Sequence, residues 1–241
     1  MKTLFITGLL LLMGGSHSIA GMQGANGHAE AYFAGGCFWC IEADFEKIDG
    51  VIEAISGYSG GDTVDPTYEE VSSGGTGHRE TVKVIYDPSK ISYKQLVEKF
   101  WRMIDPTDAG GSFGDRGHQY TSAIYYQTEN EQEIAKQSKQ ELQESNKFDK
   151  PIATSIEPLK NFYQAEEYHQ DYYQKHKLRY KTYRYFSGRD SFIDKHWGET
   201  GNENQKKGMN NTGENYTIPT QEELKEKLTP MQYKVTQEDG T

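Results

Sequence analysis

Two thiols, Cys37 and Cys40, stand three positions apart in the string AGGCFWC at residues 34–40, and they are the whole cysteine content of the chain. Sulfur at that spacing can supply half of a metal site, close a structural clip, or run thiol chemistry. A clip is the weakest of these explanations. It would close a very small loop, and the stabilisation from a cross-link falls with loop length. Exported domains that rely on disulfides also spread several cysteines along their length. A zinc site needs at least two more ligands. With no second CxxC they would come from His78, His118 and His169, which lie in separate segments and lack the His-x(3–5)-His spacing of zinc motifs.

Thiol chemistry needs thiolate. Gly35-Gly36 before Cys37, and Ile41, Phe45 and Ile48 at helical spacing after it, place Cys37 at the first turn of a helix. Unpaired N–H groups there are expected to lower a thiol pKa. Cys40 lies on the same helical face and within reach after a small rearrangement, so an oxidised Cys37 has a resolving partner beside it. A thioredoxin-like module also carries CxxC after a strand. Against it, Phe38 and Trp39 are bulky and apolar, more like the wall of a small pocket than a docking surface for other disulfides.

Two glycine-rich loops add proton-bearing groups. One includes DPTYEEV and ends in GTGHRET; the other is GDRGHQYTSAIY. Between them they offer one carboxyl, Glu80, and two phenols, Tyr68 and Tyr120. Aimed at one oxygen, these would form an acid-and-donor clamp. Taken singly, Glu80 reads as a solvated residue at a strand start and the tyrosines as core packing.

The elements that must position these groups follow from periodicity. AYFA at 31–34 is a strand, followed by the helix of Cys37, a strand in VIEAISGYSGG, and a strand in TVKVIYDP ended by proline. SYKQLVEKFWRMI is an amphipathic helix with Ser92 as its cap, and TSAIYYQ is a further strand. Strand, helix, strand, strand, helix, strand is the split βαβ order. It predicts an α/β (α+β) two-layer sandwich with a ferredoxin-like core, a mixed sheet and helices on one sheet face. A polar helix over 129–146, a strand near IATSIEP and a helix in AEEYHQDYYQKHK extend it, with compact structure ending near Trp197.

The ends of the chain read differently. Residues 1–20 carry one lysine, an apolar run from Leu4 to Met13 and the small-residue end Ser18-Ile19-Ala20, the layout of a cleaved secretory signal peptide. That run falls short of the roughly 20 residues that span a bilayer. Export to a periplasm or the extracellular space is therefore expected, with no membrane span after cleavage. Residues 21–30 form a short N-terminal segment, 31–200 the compact domain, and the glycine- and asparagine-rich 201–220 a linker. Residues 221–241 regain a helical pattern but are too few to bury a core. A net charge of −10 without a basic stripe argues against nucleic acid as a partner.

Taken together, GGCFWCIEADFEKIDGV, GYSGG, PTYEEVSSGGTGHRETVKVIYDP, DPTDAGGSFGDRGHQYTSAIYY and FYQAEEYHQDYY resemble the type A peptide methionine sulfoxide reductases, in order and over roughly residues 31–200. The resemblance implies that Cys37 attacks the sulfoxide sulfur, and that Glu80 protonates the sulfoxide oxygen with Tyr68 and Tyr120 as its hydrogen-bonding partners. It also implies that Phe38 and Trp39 hold the substrate's methyl group, and that Asp115 positions Tyr120 and its loop. Many relatives have glycine at the position of Cys40 and recycling cysteines near the C-terminus. This chain has neither, which leaves Cys40 as the one intramolecular candidate to resolve a Cys37 sulfenic acid, the alternative being direct attack by the thiol of an external reductant. No bound cofactor is implied. The expected partners are oxidised methionine, free or in proteins, and a thioredoxin-like thiol donor. The string LTPMQYKVTQEDGT resembles the opening of the type B reductases, so residues 221–241 are expected to be the truncated start of such a domain. Two alternatives stand beside this reading: a disulfide oxidoreductase using the same CxxC, and a non-catalytic binding module for oxidised methionine or zinc.

Overall fold

A computed structural model describes residues 27–198. The expected leader at 1–20, the linker at 201–220 and the segment 221–241 lie outside the described residues. Six strands form one sheet: β1 (Ala29–Ala34), β2 (Val51–Ser59), β3 (Arg79–Tyr86), β6 (Ala123–Tyr126), β7 (Ser155–Pro158) and β8 (Tyr163–Gln164). Their spatial order is β7-β6-β1-β3-β2-β8. All neighbours are antiparallel except β6 and β7. The central β6-β1-β3-β2 is the sheet that the split βαβ order predicts. A two-residue hairpin, β4 (Gly111–Ser112) with β5 (Asp115–Arg116), stands apart from it.

Strand parity decides what faces what. On β1, Ala31 and Phe33 join the main core, whereas Tyr32 and Ala34 pack on the opposite sheet face with Ala123 and Tyr125. On β3, Val82 and Val84 belong to the main core, so Glu80 has their parity and points to the same side. Helices α1 (Phe38–Phe45) and α3 (Tyr93–Phe100) cover that side. Ser92 caps α3 by accepting from the Gln95 N–H, and the Gln95 side chain returns the contact to the Ser92 N–H, as read from sequence. Helix α4 (Glu129–Glu144) agrees with the polar helix expected over 129–146.

The segment AEEYHQDYYQKHK departs from expectation. Only α5 (Tyr172–Lys175) is helical there, because Asp171 takes a left-handed conformation at φ 53° and breaks the run before it. Two further helices, α6 (Lys177–Phe186) and α7 (Arg189–Trp197), follow unforeseen. The residues α6 buries are Tyr180, Thr182 and Arg184, so its inward face carries no aliphatic stripe to read. In the loop expected at 61–80, α2 (Tyr68–Ser72) starts at a full capping box of Thr67 and Glu70.

Candidate active site

Every residue of α1 except Trp39 is buried, so its polar side chains need partners inside the protein. Glu42 accepts from Ser56 Oγ at 2.6 Å and from the Asp171 N–H at 2.7 Å. Asp44 accepts from Arg184 Nη1 through both oxygens, at 3.0 and 2.9 Å. The helix is thereby clamped between the sheet and α5–α7, with Cys37 as its N-cap at the exit from β1. The two glycines before Cys37 are required. Gly36 sits at φ +85°, and a Cβ on it would lie 2.4 Å from the Ser112 Cβ.

The register Phe33↔Val82 brings the end of β1 beside the start of β3, where Glu80 stands. Glu80 is 3% exposed, and its Oε2 accepts the N–H of Phe38 at 2.9 Å. Burial raises its carboxyl well above the usual carboxylate range, only partly offset by that hydrogen bond; the nearby charges of Asp115 and Cys40 raise it further. Beside the first turn of α1, the surroundings of Glu80 thus favour its protonated form. The phenols of Tyr68 and Tyr120 feel the Glu80 charge. Neither donates a hydrogen bond to it, and both phenol oxygens remain without a hydrogen-bond partner among the described residues. The clamp expected around Glu80 is therefore gathered but not closed by direct hydrogen bonds.

Asp115 takes a partner that the sequence does not suggest: its Oδ2 accepts from the phenol of Tyr183 on α6. Tyr183 also meets the edge of the Trp39 ring at 6.0 Å, and its phenol is raised first by burial and then by the charges of Cys37 and Asp115. It was missed in the sequence because its element was missed, and because one tyrosine among 17 carries no mark of its own.

Phe38 and Trp39 do meet at one aromatic wall. Phe38, 1% exposed, packs against Tyr58, Tyr68 and His169. Trp39 stacks on Tyr172 with ring centres 3.7 Å apart. Its indole N–H donates to His169 Nδ1 at 3.1 Å. Burial lowers the His169 pKa to about 4, so the ring is neutral and its proton sits on Nε2. The three histidines considered for zinc are engaged elsewhere: the ring nitrogens of His78 meet Gly61 and Thr63, and His118 meets Gly77.

The sulfurs themselves are free and buried, Cys37 at 6% exposure and Cys40 at 0%. They are close enough for each to shift the other's ionisation. The expected lowering of the Cys37 pKa is not found. Burial raises it, and so do the hydrogen bond with Cys40 and the charges of Cys40, Glu80 and Asp115. The helix N–H that would have favoured a Cys37 thiolate is given to Glu80 instead. A thiol pair beside a buried carboxyl whose protonated form is favoured, on a split βαβ sheet, is an arrangement suited to thiol redox chemistry.

Residues 29–201 match the family model described as peptide methionine sulfoxide reductase. A peptide methionine sulfoxide reductase MsrA/MsrB of Vibrio cholerae is 47% identical over 223 residues, which are 89% of this chain and 59% of that protein's own length. A peptide methionine sulfoxide reductase MsrA of Bacillus licheniformis is 50% identical over 173 residues, 72% of this chain and 96% of that relative. Among solved structures, Mxr1 of Saccharomyces cerevisiae in reduced form superposes with a TM-score of 0.60 at 32% identity, covering 64% of this chain and 88% of that one. The methionine sulfoxide reductase A of Corynebacterium diphtheriae does so with 0.57 at 34% identity, covering 65% and 79%. The chain belongs to the peptide methionine sulfoxide reductase family.

Proposed function

We propose that this chain reduces methionine S-sulfoxide, free or in proteins, to methionine through a sulfenic acid on Cys37. The observation that carries the reading is the Glu80 carboxyl, buried, raised well above the usual carboxylate range and hydrogen-bonded to the Phe38 N–H next to Cys37. The sulfoxide's methyl group rests against Phe38 and Trp39, and its oxygen faces Glu80, Tyr68 and Tyr120. Glu80 gives its proton to that oxygen as the Cys37 sulfur attacks the sulfoxide sulfur. The oxygen passes to Cys37, methionine leaves, and the thiol's own proton returns to Glu80. Cys40 then attacks the sulfenic sulfur, water leaves, and a Cys37–Cys40 disulfide remains for a thioredoxin-like dithiol to reduce. Asp115 orients Tyr183 against the Trp39 wall.

The leader-like layout of residues 1–20 supports work outside the cytoplasm, in a periplasm or beyond it. Among the described residues no helix is long and apolar enough to cross a membrane. A single-turnover thiol count tests the whole course. Pre-reduced protein, freed of reductant, is mixed with excess methionine S-sulfoxide. One methionine released per chain, both thiols lost and a Cys37–Cys40 peptide in the mass spectrum are expected. Survival of both thiols would refute the reductase reading, and Glu80→Gln with undiminished activity would favour plain disulfide exchange.

A further inference from the structure

Helix α2, which carries Tyr68, has five residues, and of these Val71 is the buried one. A helix that short does not hold itself in water, and the N–H groups of its first turn have no acceptor within it. Thr67 takes the N–H of Glu70. The N–H of Tyr68 is taken from far along the chain, by Oε1 of Glu166 at 2.8 Å. The other oxygen of the same carboxylate accepts from the phenol of Tyr58, also at 2.8 Å. The rings of both donors lie against Phe38, with centres 6.4 Å away for Tyr68 and 6.0 Å for Tyr58. One carboxylate thus fixes the backbone that carries Tyr68 and a ring that backs the aromatic wall.

Glu166 stands on a rigid base. The Ala165 N–H donates to the Ser56 carbonyl at 2.9 Å. The Gln170 side chain accepts from the Ser56 N–H and donates to the carbonyls of Ser56 and Ala165, so the segment after β8 is pinned to β2. Burial would raise the Glu166 carboxyl. Its own N–H, the Tyr68 N–H and the Tyr58 phenol outweigh that and hold it below the usual carboxylate range, which favours the ionised acceptor. The far end of α2 is tied as well: Gln119, next to Tyr120, donates to the Ser72 carbonyl at 2.8 Å.

We propose that Glu166 is a positioning residue for the reaction: it anchors the first residue of α2, so that the Tyr68 phenol is held at the substrate oxygen, and it steadies Phe38 through Tyr58. This rests on the reading of Tyr68 as a donor to that oxygen. The holding is done by hydrogen bonds rather than by charge. Glutamine at position 166 accepts from the Tyr68 N–H through its oxygen and donates to the Tyr58 oxygen through its amide, which keeps both ties. Alanine keeps neither.

Single-turnover methionine release at saturating sulfoxide tests the proposal. Glu166→Ala should slow it by roughly 10- to 100-fold, while Glu166→Gln stays within about threefold of the wild type. In a Tyr68→Phe background the alanine substitution should cost less than about threefold, since one residue acts through the other. An equal loss in both backgrounds overturns the proposal, because a merely structural effect would multiply. So does a glutamine variant as slow as the alanine one. The Tyr68 amide gives a measurement that needs no substitution. Its exchange with deuterated solvent, followed by NMR, should be retarded in the wild type, whereas an untied N–H in a first helical turn exchanges freely. Free exchange there also overturns the proposal. Failure of the donor reading shows separately. Tyr68→Phe releasing methionine as fast as the wild type refutes Tyr68 as donor, while the amide exchange still decides whether Glu166 anchors α2.

Discussion

Two sulfurs three residues apart on one helix sit in opposite electrostatic surroundings. Around Cys37 are the carboxyls of Glu80 and Asp115 and the phenols of Tyr68, Tyr120 and Tyr183, and burial, with Cys40 and the two carboxyls, raises its thiol. Around Cys40 are Arg184 and Arg189. The first setting disfavours charge on Cys37; the second favours it on Cys40, whose thiol is brought down to about 7. Helix position alone would have assigned the charge the other way, to the sulfur at the N-terminus. The hydrogen bond from Phe38 N–H to Glu80 shows why that assignment fails, since the terminal donor is already taken.

The comparison breaks most sharply when each sulfur is removed in turn. Cys37→Ser should lower methionine formation by a factor of the order of 10⁴ or more, because no other group can accept the oxygen. Cys40→Ser should keep the first turnover and lose rapid recycling by a dithiol reductant. Rapid quench of a single turnover separates the two, and a Cys40→Ser protein that releases no methionine would end the division of labour. Glu80→Gln should cost roughly 10²–10⁴-fold in the release step. The active form of Glu80 is protonated and its folded pKa is raised. Wild-type release should therefore be fastest at low pH and fall as pH rises through that pKa, with no such fall in the Gln variant.

Much of this division could be read from the sequence, and the unread part has a physical cause. Strands β1, β2, β3 and β6 declare themselves by alternation, and Ser92 announces α3 by its cap. Parity on β3 then places Glu80 with Val82 and Val84 under the start of α1. Helices α6 and α7 offered no such signal, since what they bury includes Tyr180, Thr182, Arg184 and Arg189. Residues of those types read as surface until their partners are known. The partners of Arg189, Gly35 and Met103, are remote in sequence, and no local pattern encodes such contacts. Tyr183, the donor to Asp115, is illegible for the same reason: it lies on α6.

A smaller effect sharpens the view of the aromatic wall. His169→Ala removes the acceptor of the Trp39 indole N–H, which costs about 1–2 kcal/mol when that donor is left buried. Expressed on substrate binding, this is roughly 5- to 30-fold in KM, with kcat less affected; an unchanged KM would mean the wall is set by the Tyr172 stack instead. His169 also gives a stability signature. Its folded pKa, about 4, lies below its ordinary value of 6.5. Its contribution is thus present above pH 6.5 and lost as pH falls towards 4. Urea unfolding of the wild type should weaken across that window more than that of His169→Gln.

The smallest expected effect comes from the third buried polar group of α1, Glu42. Burial raises its carboxyl to about 7, with the negative charges of Glu46 and Asp171 adding to the rise, although Ser56 and the Asp171 N–H both donate to it. Its folded pKa lies above the unfolded one, so its stabilising share is complete below the ordinary carboxylate range and is lost as pH rises through about 7. Gln accepts from the Asp171 N–H and donates to Ser56 without ever ionising. Glu42→Gln should therefore unfold like the wild type at acid pH and be the more stable of the two above pH 8, measured by urea titration at both ends. Because Glu42 neither accepts the substrate oxygen nor pairs with an arginine, the same substitution should leave methionine release unmoved. A shift would mean that the charges along α1 act as one coupled set, and that the contrast between its two sulfurs is not set by their nearest neighbours alone.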